Sequence, residues 1–146
     1  MTMVSIFDTA KYILEKKGQM TTWKLQKLCY YAQAWVLAWS GKPLFAEDFQ
    51  AWANGPVCRE LFDEHEGKHL IEHKDLTKGN SSKIIGNDLE CINTILEHYG
   101  DKEPWWLREQ THSEYPWINA RKGSGESERS DVIISKDDIG QFYGGL

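Results

Sequence analysis

The sequence has no excess of positive charge and no long apolar run, and each absence argues against a class of protein. Lys and Arg number 17 against 22 Asp and Glu, which gives a formal net charge of −5. The basic residues are scattered, so a phosphate-binding surface for nucleic acid is not expected. The longest uncharged stretch, Leu28 to Gly41, is shorter than the roughly 20 residues of a membrane span. Neither nucleic acid nor a membrane is therefore predicted as a partner.

The sequence also lacks paired cysteines and a recognisable secretion signal. Cys29, Cys58 and Cys91 are odd in number, widely spaced and free of a C-x-x-C motif, which favours reduced, buried thiols. The first residues, Met1 to Asp8, contain neither a basic segment nor a sustained apolar one. No signal peptide is predicted, and a cytoplasmic protein is expected.

Aromatic residues are abundant, at 12% of the chain with seven tryptophans. Some must fill the core, and the remainder are available for a partner because Trp and Tyr are enriched in interface hot spots. The candidates for partner contact are Trp23, Trp39, Trp105 and Trp106. Core or groove-lining positions are expected for Trp35, Trp52 and Trp117. The alternative that all seven tryptophans belong to the core remains open.

Helical periodicity dominates the chain. Apolar spacing predicts a first helix from about Ile6 to Gly18 and a longer second helix from Thr21 or Thr22 to Gly41. Further helices are predicted over 88–99, after Pro104 and, following a turn at 111–117, over Ile118, Ala120 and Arg121, with Ser135 capping a last helical turn. The second helix is apolar on several sides, so it is expected to be central. It also carries an aligned polar row, for which a satisfied seam between helices is favoured over a binding site. The row consists of Gln26, Tyr30 and Gln33.

The connecting segments are predicted from turn chemistry. Asn54-Gly55-Pro56 predicts a tight turn, with Pro56 opening a helix that carries Val57, Leu61 and Phe62. Residues 67–86 predict a polar surface excursion, and a hairpin that pairs 70–71 with 84–85 is one interpretation of it. Residues 123–130 have the composition of a flexible loop. We therefore expect one mainly α domain over residues 1–146, a compact helical bundle with a minor β-hairpin or short strands.

Two stretches invite a catalytic interpretation. His65-Glu66-Gly67-Lys68-His69 matches the zinc-peptidase pattern H-E-x-x-H, in which two histidines one helical turn apart share a zinc ion. However, Gly67 costs a helix about 1 kcal/mol relative to Ala, and the neighbouring residues are charged. A zinc-dependent hydrolase is retained only as an alternative.

His112 and Glu114 would be a conceivable acid/base pair, but a turn anchored by side-chain hydrogen bonds is favoured there. No Gly-rich phosphate loop, nucleophile elbow or carboxylate cluster is visible. We therefore do not expect an enzyme, a metal or a cofactor.

Several blocks of the sequence resemble one protein family. K-L-Q-K-L-C-Y-Y-A-Q-A-W over 24–35, G-K-P-L-F over 41–45, F-Q-A-W-A-N-G-P-V over 49–57 and T-H-S-E-Y-P-W-I-N-A-R over 111–121 resemble the Panacea domain family. This family is also called SocA-like, or GepA phage-associated protein. The matching residues singled out are Lys24, Leu25, Gln26, Lys27, Leu28, Tyr30, Tyr31, Gln33, Trp52, Gly55, Pro56, Val57, His112, Glu114, Pro116 and Trp117.

The resemblance implies a mostly helical bacterial or prophage protein that acts as the antitoxin of a toxin–antitoxin system. Such proteins are thought to neutralise a cognate protein toxin by direct contact, and the neighbouring gene is the expected source of that toxin. A homodimer is possible. The alternative is a phage- or prophage-encoded adaptor or inhibitor that binds a host protein. In the family, residues 63–69 would fall in a variable stretch, so the zinc pattern is interpreted as coincidence.

Overall fold

The computed structural model describes residues 3–125 and 127–146. Met1, Thr2 and Glu126 lie outside the described residues, and so do the parts of the predictions for the N-terminus and for the loop 123–130 that fall on these three positions. Within the described part the chain forms seven α-helices. They are α1 (Ile6–Lys17), α2 (Thr22–Ser40), α3 (Arg59–His65), α4 (Gly86–Tyr99), α5 (Pro104–His112), α6 (Tyr115–Ala120) and α7 (Lys136–Gly144). The predicted mainly α fold is confirmed, and no helix in these residues is long and apolar enough to cross a membrane.

The strands are short and form two separate antiparallel pairs. They are β1 (Met20–Thr21), β2 (Gln50–Trp52), β3 (Gly55–Val57) and β4 (Leu70–Ile71). β2 and β3 form a tight hairpin, whereas β1 pairs with β4 from a distant part of the chain. Ile133 adds an isolated bridge to Gln50 on β2. Among the described residues, the β-structure therefore consists of short pairings between the segments that connect the helices.

The helix ends follow from local sequence chemistry. The Ser5 hydroxyl accepts from the Asp8 N–H while the Asp8 carboxylate accepts from the Ser5 N–H, a complete capping box for α1. Thr21 caps α2 by accepting from the Lys24 N–H at 3.1 Å, and Ser135 caps α7 in the same way. Gly41 ends α2 with φ of +76°, in the left-handed conformation that glycine adopts readily.

Helix α2 is central, as predicted from its apolar surface. It packs against α1, α4, α5 and α7, and its side chains are fully buried on several sides. Burial of this kind supplies most of the stabilisation of a helical domain. The candidate sites described below are therefore built on or beside this central helix.

The hairpin predicted within 67–86 is wrong. Leu70–Ile71 pairs with β1 instead, and Ile84 follows a 3-10 turn at Ser81–Lys83 rather than forming a strand. The excursion is held against α1: the Asn80 N–H donates to the Asp8 carboxylate at 2.6 Å. A Cβ at Gly79 would lie 2.5 Å from the Phe7 carbonyl oxygen, so the two backbones are in direct contact. These distant contacts replace the local pairing that the sequence suggested.

The helix predicted to begin at Pro56 is also wrong, since Pro56 lies in β3 and α3 begins at Arg59. The extended conformation is fixed by side chains of α2. The Lys27 ammonium donates to the Pro56 carbonyl, and the Gln26 amide bonds both the N–H and the C=O of Cys58. Because side chains of α2 satisfy the hydrogen bonds of these backbone groups, the segment can stay extended without helical hydrogen bonds.

Candidate functional site

Two glutamines of the predicted polar row on α2 are fully buried and hold loops in place. Gln26 accepts from the Cys58 N–H at 2.9 Å and donates to the Cys58 carbonyl. Gln33 donates to the Phe45 carbonyl at 2.8 Å and accepts from the Leu44 N–H at 2.8 Å. Their polar atoms are therefore occupied by main chain, as expected for a satisfied seam.

Glu114, from the second candidate catalytic pair, is also a structural anchor. Its carboxylate is buried and accepts 2.7 Å hydrogen bonds from the hydroxyls of Tyr31 and Tyr143. Gln110 donates to its other oxygen at 3.1 Å. Glu114 thus ties the start of α6 to α2 and α7, and its oxygens face protein groups rather than an open cavity.

His112, the other member of that pair, is in a different environment. Its ring stacks on Trp117, with centroids 3.9 Å apart and planes 10° apart. Its Nε2 is buried without a hydrogen-bond partner among the described residues. Burial, followed by the nearby cations of Arg108, Lys27 and Arg121, lowers the pKa of His112 to about 4. The imidazole is therefore neutral near pH 7.

The H-E-x-x-H residues are not arranged as a zinc site on one helix. Helix α3 ends at His65, and Gly67 turns the chain with φ of +87°. His65 is buried, and its Nε2 accepts from the Gln26 amide at 3.0 Å, whereas His69 is exposed. Because the helix stops inside the motif, the two imidazoles are not presented by consecutive turns as the pattern requires.

Lys27 is the least expected residue of the family-like block. A lysine normally keeps its ammonium in water, yet Lys27 is 2% exposed. The ammonium donates a 3.4 Å hydrogen bond to the Pro56 carbonyl and lies 5.3 Å from the centre of the Trp23 ring. Gly55 lies directly against it, because a Cβ there would lie 2.4 Å from Lys27 Cε. The side chain is thus fixed in a narrow slot.

The Lys27 slot lies beside a surface recess of about 220 Å³. We call this the Lys27 recess, and its lining residues are Trp23, Lys27, Asn54, Pro104, Trp105 and Arg108. Trp23 is half-buried, and Trp105 is 65% exposed at the rim. Burial, reinforced by the Arg108 cation, lowers the pKa of Lys27 to about 7. The recess therefore combines aromatic walls with two basic side chains.

A second, apolar depression lies between α2 and α4. We call it the Trp39 groove, and it is lined by Trp35, Trp39, Thr94, Ile95, His98 and Tyr99, with a volume of about 300 Å³. Trp39 is 57% exposed, while Trp35 donates from its indole N–H to the Tyr99 hydroxyl at 3.2 Å. The groove thus has one exposed tryptophan resting on a fixed aromatic floor.

The four tryptophans predicted for partner contact therefore do not form one surface. Trp23 and Trp105 belong to the Lys27 recess, and Trp39 belongs to the groove at the other end of α2. Trp106 is half-buried beneath the Lys102 ammonium, which lies 4.7 Å from its ring centre. Of the other three, Trp117 is buried and its indole N–H donates to the Trp52 carbonyl. Trp35 and Trp52 are half-buried.

Sequence reasoning missed Asn54 and Arg108 as lining residues, and it missed the burial of Lys27. Asn54 belongs to the turn motif Asn54-Gly55-Pro56, which indicates a turn and not a lining position, and no motif marks Arg108. A weak signal for Lys27 exists, since it lies two residues from Leu25 and next to Leu28 on a helix that is apolar on several sides. It also missed Arg121, which is buried and donates to the carbonyls of Ala51 and Gly125, so it links the loop 123–130 to β2.

Comparison with known proteins places the chain in a family. The family model described as antitoxin SocA-like, Panacea domain, matches residues 25–118. This match spans more than half of the chain, which therefore belongs to the SocA-like Panacea domain family, as the sequence blocks suggested. Neither curated protein sequences nor solved structures gave a match.

Proposed function

We propose that this protein is an antitoxin that neutralises a cognate toxin by binding it directly, without catalysis, in the cytoplasm. The observation that carries the proposal is the match of residues 25–118 to the antitoxin SocA-like family. The toxin is expected to be the product of the neighbouring gene. Burial raises the pKa of the Cys58 thiol and of the Cys91 thiol to about 12 each. Such thiols are poor nucleophiles, which agrees with a role that needs no cysteine catalysis.

Two surfaces are proposed for toxin binding, the Trp39 groove and the Lys27 recess, because each presents an exposed tryptophan. Exposed tryptophans of this kind serve as interface anchors, because they bury a large apolar area at low entropic cost. Trp23 and Trp39 are 16 positions apart on α2, so they project roughly 160° apart around the helix axis. A single flat interface does not cover both surfaces. The contribution of each is therefore tested separately.

The experiment induces the neighbouring gene in cells with and without this protein and measures growth. We expect growth arrest without it and recovery with it, followed by co-purification of the two proteins. Trp39→Ala and Trp105→Ala are then compared for toxin affinity, and loss of at least one anchor is expected to weaken binding about tenfold or more. Tyr115→Ala is the matched control, since Tyr115 is 52% exposed and lines neither surface.

A harmless neighbour, or toxicity that persists, would remove the antitoxin proposal. A binding protein directed at a host target would then be the next hypothesis, and it is tested by identifying what co-purifies. Unchanged toxin affinity in both tryptophan variants would leave the antitoxin activity in place but exclude these two anchors.

A further inference from the structure

The Lys27 ammonium is buried without a carboxylate to balance it. Within residues 3–125 and 127–146, none of the ion pairs involves Lys27. No acidic group raises its pKa, and the neighbouring charge that acts on it is the Arg108 cation. A desolvated ammonium beside a second cation is unfavourable, and proteins ordinarily compensate such a group with an anion. The uncompensated Lys27 ammonium is therefore expected to lower the stability of the folded protein.

The Lys27 side chain contacts β3 and also lines an open cavity. Gly55 has φ of +116° and lies against the lysine stem, so the side chain cannot be displaced toward β3 without a clash. Lys27 is also one of the residues that line the Lys27 recess, whose volume of about 220 Å³ is large enough for one amino-acid side chain. Arg108 is part-exposed on the same wall and pairs at 3.2 Å with Glu109, itself largely exposed. A ligand entering the recess thus meets two basic groups between indole rings.

The chemistry of the recess favours a single carboxylate over a nucleic acid. A nucleic acid requires a stripe of cations that contacts several phosphates, and the chain as a whole carries a net charge of −5. A carboxylate needs only two basic groups, Arg108 and Lys27, and its negative charge would raise the lowered pKa of Lys27 and so favour the charged ammonium. The aromatic walls accommodate the apolar stem of the acidic side chain. Charge complementarity is local to the recess, since the rest of the chain is acidic.

We propose that the Lys27 recess is an anchor pocket for an Asp or Glu side chain of the toxin, held by Lys27 and Arg108 between Trp23 and Trp105. This proposal rests on the proposed antitoxin function and specifies the chemistry of one contact within it. Binding of the carboxylate would supply the missing counter-charge to Lys27. The recess would then recognise a particular acidic residue of the partner, whereas the Trp39 groove offers a mainly apolar and aromatic surface.

The first test needs no toxin. The folded chain is titrated with N-acetyl-glutamate N-methylamide, and the indole N–H signals of Trp23, Trp39 and Trp105 are followed by NMR. We expect saturable shifts at Trp23 and Trp105 in the millimolar range, with Trp39 unaffected. The glutamine counterpart of the probe is expected to produce no such shifts. In the Lys27→Met and Arg108→Gln variants, the affinity for the glutamate probe is expected to fall about tenfold or to be lost. Equal responses to the Glu and Gln probes, or no response to either, would overturn the pocket.

Inorganic phosphate is the probe for the competing anion. If phosphate saturates the recess and the glutamate probe does not, the carboxylate assignment is wrong. The second test measures toxin affinity. Lys27→Met and Arg108→Gln are each expected to weaken toxin affinity about tenfold. A toxin variant that lacks the matching acidic residue should bind the wild-type antitoxin about tenfold more weakly. The same toxin variant should bind Lys27→Met no more weakly than the unchanged toxin does. Toxin affinity unchanged from the wild type in both variants would refute this pocket while leaving the antitoxin function, which the growth assay tests independently.

Discussion

Replacing Lys27 with methionine should make the protein more stable. Methionine fills a similar volume with an unbranched chain, so it fits the slot against Gly55 while removing the charge. The ordinary lysine pKa of 10.5 falls to about 7 in the fold, and each pH unit of that difference is worth about 1.4 kcal/mol. Burying the ammonium near pH 6 thus costs about 5 kcal/mol, as an upper limit, against a weak hydrogen bond to the Pro56 carbonyl.

The pH dependence gives the prediction its sign. Between about pH 7 and pH 10.5 the unfolded chain holds a proton on Lys27 that the folded chain does not, so raising the pH through this window stabilises the wild type. Below about pH 7 both states hold the proton and the penalty is complete. The advantage of Lys27→Met should therefore be largest near pH 6 and about 2–3 kcal/mol smaller near pH 9. Arg108 is common to both proteins. Burial lowers the pKa of His65 and of His112, and the Lys27 charge is a further cause that lowers both, so both pKa values should rise in Lys27→Met. The comparison is therefore made at pH 6 and above, where the Lys27 proton is the larger contribution.

The assay is denaturant unfolding followed by tryptophan fluorescence at the two pH values, with Lys42→Met as the matched control because Lys42 is an exposed lysine just beyond the end of α2. The control should change the free energy of unfolding by less than about 0.5 kcal/mol at either pH. A Lys27→Met variant less stable than the wild type, by the same amount at both pH values, would refute the reasoning. It would mean that the ammonium is well compensated in the fold, and the recess would lose its unbalanced cation.

Three further predictions concern the scaffold around α2. Glu114→Ala leaves two buried tyrosine hydroxyls without their acceptor, and chemical denaturation should show a loss of about 2–4 kcal/mol; a loss below about 1 kcal/mol would contradict the anchor role. Gly55→Ala adds a Cβ 2.4 Å from Lys27 Cε at a residue with φ of +116°, so the free energy of unfolding should fall by more than about 1 kcal/mol. A thermal unfolding curve unchanged from the wild type would be inconsistent with this close approach. For His112 the folded pKa of about 4 lies below its ordinary 6.5, so stability should fall as pH drops from about 6.5 to 4. Subtracting the profile of His112→Gln isolates that slope, and identical profiles would show that the imidazole titrates normally.

The sequence predicted what local chemistry controls. The cap of α1 at Ser5 and the end of α2 at Gly41 depend on residues within one helical turn, so pattern and composition sufficed. The pairing of Leu70–Ile71 with β1 joins segments about fifty residues apart, and no local pattern records it. The same holds for Pro56, whose extended conformation depends on side chains of α2.

The candidate site was less predictable than the fold. The sequence predicts partner-binding tryptophans as a group, but their division between two surfaces depends on where α4 and α5 pack along α2. Lys27 was visible as part of a family-like block without any indication that its ammonium is buried. Lysine in a sequence is normally assigned to solvent, and only the position of Gly55 and Trp23 in three dimensions reveals the exception.

The Lys27 recess and the Trp39 groove lie near opposite ends of one buried helix, and this has a consequence for assembly. Trp23 and Trp39 are 16 positions apart on α2, so their backbones are separated by about 24 Å along the helix axis. A toxin held in the recess by a single side chain would leave the groove for a second segment of the same toxin or for a further molecule. A toxin that reached both would gain affinity from two linked contacts whose spacing is set by α2.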